Sequence, residues 1–409
     1  MTSRPSVVVT GIGIVSAAGC GAAPFAEALA RSDVVRSPVD RSAGYHRENS
    51  SRTAVLSGGA DLSQWISPLK ARRMGQPSKQ AVAAANMAVA QSGLELPDLG
   101  RAAIVIATSY GAADVTENIL RQAMLEGPEA VSPALFTESV ANAPAAQVAM
   151  ALTAQGPNLT IVQRQAGPLI ALAQGVSAIV SGKSSIALVG AVDEVNPLLH
   201  SILDRFGALA RPGDDGIETA RPFDHRRSGF LAGDGAAVVV LETEEAARGR
   251  GARPLVRIKM TGRAFDPFAP RTGWSHDHEL LSESLKKSLF KNGVDPIDID
   301  RLVTGGCGIG PGDRIEALVL RSLFGDAPLP PVLAPKGVTG ESGGGFLGAA
   351  FLATTGSPFG PTPGFTHEDP ELGVIPHDGR SLPDPTAVLA TGFAAGGAAA
   401  WAVLEPVEP

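Results

Sequence analysis

The 409-residue sequence has only two cysteines, Cys20 and Cys307, and aromatic residues make up only 5% of it. Two cysteines exclude a disulfide framework and a cysteine-rich zinc cluster. No uncharged apolar run is long enough to cross a bilayer, and the opening residues MTSRPSVVVTGIG lead into a strand pattern without the apolar segment of a signal peptide. We therefore expect a cytoplasmic protein that has no membrane partner.

An excess of positive charge is also missing. The net charge of −7 argues against a nucleic-acid partner, because such partners select basic surfaces. Hydrophobic residues make up 44% of the chain, which is long enough for one large core or two fused ones. The composition therefore indicates a globular protein, and we expect neither a metal nor a cofactor.

Short apolar runs alternate with longer helical patterns, which is typical of layered α/β proteins. The predicted strands cover residues 6–10, 103–108, 159–162, 186–189, 236–242, 255–261, 302–304, 388–391 and 399–405. The predicted helices cover residues 78–91, 168–180, 280–291, 313–323 and 345–354.

Two segments of the chain resemble each other. GDGAAVVVLE (233–242) and AGGAAAWAVLE (395–405) both pass from small residues into an apolar strand that closes on Leu-Glu. The echo favours two similar halves, residues 1–250 and 251–409, although two unrelated buried strands of common composition would give the same pattern.

Two motifs suggest ligand sites but lack the spacing that those sites require. Gly11 and Gly13 follow a strand, yet Ser16 occupies the place of the third glycine of a dinucleotide-binding loop. In WSHDHE the two histidines stand at i and i+2, so we expect Ser275 or Asp277 to cap a helix and we expect no metal site.

The second half contains three glycine-rich segments. Cys307 lies in TGGCGIGPGD directly after a predicted strand, where we expect a small buried residue more than a reactive thiol. PKGVTGESGGG (335–345) lacks the spacing of a phosphate-binding loop, because Lys336 precedes its glycines, so we interpret it as the wall of a site. ATGFAAGG (390–397) permits a close approach of the backbone to another strand or a ligand.

The most informative segment is GPNLTIVQRQAGPLIALAQG, which runs from residue 156 to residue 175. A short apolar strand there meets small residues and then a helical pattern, which predicts a sharp strand-to-helix elbow. Elbows of this kind often present a nucleophile at a helix N-terminus, but this one presents Gln165. We expect the Gln165 carboxamide to form hydrogen bonds that satisfy the elbow without reacting.

Together these segments resemble the β-ketoacyl synthase family of the thiolase fold, in the same order and over almost the whole chain. RPFDHRRSGFLAGDGAAVVVLE (221–242) is the most specific match. The resemblance implies a thiolase fold, in which an α/β/α/β/α unit is duplicated. It also implies an active site of one cysteine and two histidines, for acyl transfer and for decarboxylation of a malonyl group.

All three of those catalytic positions differ here. The cysteine position falls on Gln165, and one histidine position falls on Glu341. The other histidine position falls on Cys307, with Gly305 as the alternative, and the bulky phenylalanine of the last loop is replaced by Ala395. A carboxamide cannot form the thioester, and a carboxylate opposes the developing enolate. We therefore expect no condensation in this pocket.

The elbow Gln-Ala-Gly and the histidine-free loop are similar to one subgroup of the family, the chain-length factors of type II polyketide synthases. The resemblance implies a heterodimer with a catalytic ketosynthase, which receives its acyl groups from an acyl carrier protein. It implies an interface that includes residues 159–162 and 110–124. The alternative function is decarboxylation of a malonyl carrier protein by means of Gln165.

The resemblance also places the residues that limit the growing polyketide chain at Ala113, Thr116 and Leu120, whose spacing puts them on one helical face. Relatives that make aromatic products often carry bulky aromatic residues at the first and last of these positions. The smaller Ala113 and Leu120 favour a longer or more apolar tunnel, as for a polyene or reduced chain.

Overall fold

The computed structural model of the chain describes residues 5–407. Its strands are β1 (Val7–Ser16), β2 (Gly19–Cys20), β3 (Ser37–Pro38), β4 (Thr53–Val55), β5 (Ala103–Thr108), β6 (Asn158–Val162), β7 (Ile186–Asp193), β8 (Ala232–Gly233), β9 (Gly235–Thr243), β10 (Val256–Phe265), β11 (Arg301–Val303), β12 (Val332–Leu333), β13 (Val388–Phe393) and β14 (Ala398–Pro406). Its helices are α1 (Ala22–Arg31), α2 (Pro68–Ala71), α3 (Gln76–Ser92), α4 (Ala113–Glu126), α5 (Pro133–Ser139), α6 (Ala143–Ala151), α7 (Gly167–Val180), α8 (Pro197–Arg205), α9 (Glu244–Gly249), α10 (His278–Lys291), α11 (Gly310–Phe324), α12 (Lys336–Thr339) and α13 (Gly343–Thr354).

The main sheet contains the same strand arrangement twice. Its order is β12-β11-β13-β14-β10-β1-β9-β7-β5-β6, and the two halves meet where β1 pairs antiparallel with β10. When the five main strands of each half are numbered along the chain, both halves read 3-2-4-5-1 from the outer edge to the centre. The echoing segments are β9 and β14, which occupy equivalent places, so the fold is the duplicated α/β thiolase fold. The predicted boundary between the halves, near residue 250, falls between α9 and β10 and stays a prediction. The outer ends of the two predicted halves, residues 1–4 and 408–409, lie outside the described residues.

Two apolar helices fill the space between the halves. All twelve residues of α13, GGGFLGAAFLAT, are buried, and the segment contains no charge. α13 and α7 share one core cluster with strands of both halves. A second cluster joins α3 and α6 to the first half, and a third joins α10 and α11 to the second half. The molecule thus has helical layers outside and between its two sets of strands.

Gly11 and Gly13 lie inside β1 and not in a turn after it. A Cβ at either position would lie 1.9 Å from a backbone carbonyl oxygen of α3, that of Ala88 or Ala84. The two glycines therefore allow α3 to pack directly against β1, and this strand does not end in a dinucleotide-binding loop.

The WSHDHE segment caps a helix, as expected. Oδ1 of Asp277 accepts a hydrogen bond from the N–H of Leu280 at 2.8 Å, and Ser275 donates to Asp266 at 2.6 Å. Residues 5–407 contain no cluster of three or more side chains placed to hold a metal ion. Within the same residues, no helix has both the length and the apolar character needed to cross a membrane.

Candidate functional site

The elbow at the end of β6 is a strained turn. Residues Arg164–Ala166 form one turn of 3-10 helix, and α7 begins directly after it. Arg164 has a φ of 43°, in the left-handed region that non-glycine residues rarely adopt. This turn directs the Gln165 side chain into the protein, where it is buried. Gly392 of β13 supports the turn closely, because a Cβ there would lie 2.8 Å from the carbonyl oxygen of Gln165.

The carboxamide of Gln165 does not satisfy the elbow in the expected way. Its Oε1 atom is buried and accepts no hydrogen bond from any described residue. The expected bonding through this oxygen is therefore wrong. The turn is held by close backbone packing from β13 and by the helix that follows, and Gln165 leaves a polar atom uncompensated inside the pocket.

Glu341 forms a buried ion pair with Lys336. Nζ of Lys336 lies 2.7 Å from Oε1 of Glu341, and the two side chains are 1% and 5% exposed. Burial by itself lowers the pKa of Lys336, but the charges of Glu341, Cys307 and Glu316, together with the hydrogen bond to Glu341, outweigh it and raise the pKa above its ordinary value. The ammonium thus remains charged, and a carboxylate stands where the resemblance places a histidine. Oε2 of Glu341 has no hydrogen-bond partner among the described residues.

Cys307 is buried in an apolar cluster that includes Leu209 and Phe230. Burial raises the pKa of its thiol well above the ordinary value, and the charges of Glu341 and Asp313 raise it further. A thiol in this state is a poor nucleophile, because the reactive form is the thiolate. Its backbone N–H donates to Oδ1 of Asp313 at 3.0 Å, which fixes the loop.

Gly305, the alternative histidine position, lies beside β13. A Cβ at Gly305 would lie 3.3 Å from the carbonyl oxygen of Thr391 and 3.5 Å from Cα of Gly392, the residue that touches the elbow. Its N–H donates to Oε1 of Glu316 at 2.9 Å. Gly305 and Cys307 therefore both belong to the loop between β11 and α11, and neither supplies an imidazole.

Two buried carboxyl groups hold that loop. Burial raises the pKa of Glu316 to about 8 and that of Asp313 to about 6. Glu316 also accepts a hydrogen bond from the hydroxyl of Thr391 at 2.5 Å. Neither these acids nor the pairing of Lys336 was predicted from the sequence. The only available signal was that Asp313 and Glu316 stand at i and i+3 on the inner face of a helix, α11.

The last loop lies close to the same site. Ala395 is buried in the apolar cluster of the second half, and two glycines in the left-handed region, Gly396 and Gly397, follow it. The N–H of Gly396 donates to the carbonyl of Gly273 at 2.7 Å. A methyl group thus occupies the position that the resemblance assigns to a phenylalanine ring.

The three predicted tunnel residues all lie on α4, and their common face turns away from the core. The only fully buried residue of α4 is Val115. Ala113 is half-buried, and Thr116 and Leu120 are exposed. The Thr116 hydroxyl donates to Ala112 O at 2.7 Å and lies 3.2 Å from Ser139 O of α5. This chain alone therefore leaves Thr116 and Leu120 exposed.

Apolar side chains are exposed both on this face of α4 and on β6, at the edge of the sheet. β6 is the outermost strand of the first half and pairs only with β5. Exposed fractions there are 42% for Leu159, 56% for Val162, 55% for Leu120 and 84% for Met124. An unpaired strand edge beside exposed apolar side chains is typical of a protein–protein interface.

The sequence of this chain matches one family model and is similar to known polyketide proteins. Residues 4–247 match the family model for the N-terminal domain of beta-ketoacyl synthase. The chain is 29% identical over its whole length to the granaticin polyketide beta-ketoacyl synthase 1 of Streptomyces violaceoruber, of which it covers 99%. It is 28% identical to the actinorhodin polyketide beta-ketoacyl synthase 1 of Streptomyces coelicolor, with 98% of this chain and 89% of that protein covered.

Solved structures agree. The structure of the ishigamide ketosynthase/chain length factor matches with a TM-score of 0.89 and 29% identity, covering 99% of this chain and 100% of that one. The predicted resemblance to the ketosynthase and chain-length-factor proteins of type II polyketide synthases is thereby confirmed. With the family model covering more than half of its length, the chain belongs to the beta-ketoacyl synthase family.

Proposed function

We propose that this chain is the non-catalytic, chain-length-determining subunit of a type II polyketide synthase and acts as a heterodimer with a catalytic ketosynthase. The observation that carries the proposal is the state of the pocket. Gln165 occupies the elbow, and Glu341 is held in a buried ion pair with Lys336 at 2.7 Å. Neither a thiolate nor an imidazole is available there, so condensation requires a second chain.

The partner surface in this proposal is the edge strand β6 together with the exposed face of α4. A β-strand of the partner can pair with β6, because strand addition satisfies the free backbone groups of an edge. The apolar side chains of Leu159, Val162 and Leu120 then leave water, which favours association. The partner supplies the nucleophile and receives acyl and malonyl groups from acyl carrier protein.

In this heterodimer the growing chain enters a tunnel at the interface, and α4 forms its far boundary. Ala113 and Leu120 carry no aromatic ring, so they leave more room than a bulky residue does. We infer that the product is an extended polyene or reduced chain. The likeness to the ishigamide ketosynthase/chain length factor, at 29% identity, supports the role in setting chain length and not the kind of product.

The test is co-expression with a catalytic ketosynthase and its carrier protein, with products measured by mass spectrometry. Ala113→Phe fills the tunnel and should shift the main product to a shorter chain. Glu126→Phe adds the same ring at the exposed end of α4 and is the matched control. Unchanged product length with Ala113→Phe in an intact complex would remove this face from the tunnel.

The second candidate is decarboxylation of malonyl carrier protein by means of Gln165. It is favoured by one observation, the buried Gln165 carboxamide whose Oε1 has no partner among the described residues, because such a group is available to a ligand. Carbon dioxide release from malonyl carrier protein by the isolated chain, abolished by Gln165→Ala, would support it. The same assay without release leaves chain-length control as the function.

A further inference from the structure

Polar contacts hold α4 to the rest of the chain. Of its fourteen residues only Val115 is fully buried, so core packing contributes little to its position. The carboxylate of Glu117 lies on the same face as Ala113 and Leu120, at i+4 and i−3 from them. Contacts of Glu117 therefore act directly on the face that carries the predicted tunnel residues.

Both carboxylate oxygens of Glu117 are occupied. Oε1 accepts a hydrogen bond from the hydroxyl of Tyr45 at 2.6 Å, and Oε2 accepts one from Nδ2 of Asn196 at 2.7 Å. Hydrogen bonds to an ionised carboxylate are short and stronger than neutral ones. Tyr45 comes from the segment between β3 and β4, and Asn196 comes from the segment between β7 and α8.

Both donors are themselves fixed by α8. Oδ1 of Asn196 caps α8 by accepting from the N–H of Leu199 at 2.8 Å, and the carbonyl of Tyr45 accepts from Nη2 of Arg205 at 3.2 Å. Close by, Oε2 of Glu194 accepts from the N–H of Asp114 in the first turn of α4 at 3.0 Å. Hydrogen bonds therefore connect the start and the middle of α4 to the segment that follows β7 and to residues held by α8.

We propose that Tyr45, Glu117 and Asn196 form a positioning cluster that sets the place of α4, and with it the chain length of the product. This inference rests on the proposed function. The cluster does not touch the reacting atoms. It acts through Ala113 and Leu120, because a helix released from α8 can move outward and no longer defines one tunnel length.

The experiment uses the heterodimer with a catalytic ketosynthase and compares product distributions at equal amounts of complex. Glu117→Ala removes both hydrogen bonds, and we expect the ratio of main product to other chain lengths to fall roughly tenfold. Tyr45→Phe removes one neutral donor and keeps the ring, so we expect a fall of roughly twofold to fivefold. Glu126→Ala removes an exposed carboxylate from the same helix and should leave the ratio unchanged.

The outcomes separate this inference from the function on which it rests. If Glu117→Ala and Tyr45→Phe both leave the ratio unchanged while Ala113→Phe shifts it, the positioning role is wrong and chain-length control stands. If Ala113→Phe also has no effect, the proposed function fails as well. If Glu117→Ala prevents complex formation, Tyr45→Phe decides, and an unchanged ratio with that variant overturns the inference.

Discussion

At the scale of single residues, Glu341 stands where the resemblance places a histidine, and it also forms an ion pair. The carboxylate neutralises the ammonium of Lys336 inside a pocket where both side chains are almost fully buried. An isolated buried charge is costly, whereas a paired one is tolerated. Glu341 therefore stabilises this site as an ion pair, and the charge at the site is coupled to the stability of the fold.

This coupling predicts the effect of breaking the pair. Glu341→Ala leaves Lys336 charged and unpaired, so we expect the free energy of unfolding to fall by about 3–5 kcal/mol. The double variant Lys336→Met with Glu341→Leu removes both charges and should lose much less. Urea unfolding of the three proteins measures the difference. Equal losses for the single and the double variant would show that packing, and not charge pairing, makes this site stable.

At the scale of elements, the predicted strands and helices were more accurate than the predicted contacts between side chains. All nine predicted strands and all five predicted helices are present, because their apolar runs and helical periodicity are strong. β1 is longer than predicted, since Gly11 and Gly13 belong to the strand and pack against α3. β12 was not predicted, because a two-residue strand carries no periodic signal.

The candidate site was predictable only in part. The resemblance placed Gln165, Cys307 and Glu341 in one site. The structure brings Gln165 to β13, Cys307 to Asp313 of α11 and Glu341 to β8. It did not reveal that Lys336 pairs with Glu341. The segment between them contains glycines, so its backbone conformation could not be predicted from the sequence. The unbonded oxygen of Gln165 was also unpredictable, since hydrogen-bond partners depend on tertiary packing.

The edge strand β6 gives a prediction at the same scale. Leu159→Lys places a charge on the proposed interface, where burial without a partner is unfavourable. We expect affinity for the ketosynthase to fall at least roughly tenfold, with thermal stability of the isolated chain unchanged. Phe290→Lys, at an apolar residue of α10 that is 85% exposed against 42% for Leu159, is the control and should bind normally. Normal binding by Leu159→Lys would place the interface elsewhere on the chain.

At the scale of the whole molecule, the duplicated fold presents Gln165, Cys307 and Glu341 at the three positions that the resemblance assigns to catalysis. The elbow and Gly305 lie against β13, and the loop of Glu341 bridges to Ala232 of β8. Restoring one group should therefore not restore the reaction. A cysteine at position 165 would still meet the carboxylate of Glu341 and would have no imidazole to assist it.

We accordingly predict that Gln165→Cys leaves the isolated chain without condensing activity. Burial raises the pKa of the Cys307 thiol, and the charge of Glu341 raises it further. Burial and this carboxylate would disfavour a thiolate at the elbow for the same reasons. Mass spectrometry of malonyl and acyl carrier proteins incubated with the variant measures the reaction. The wild-type chain should support condensation with an intact ketosynthase but not with one whose cysteine is replaced by alanine. Turnover by the isolated Gln165→Cys variant would contradict this prediction. It would mean that the chain lacks only a nucleophile for condensation, and that one substitution removes its need for a catalytic partner.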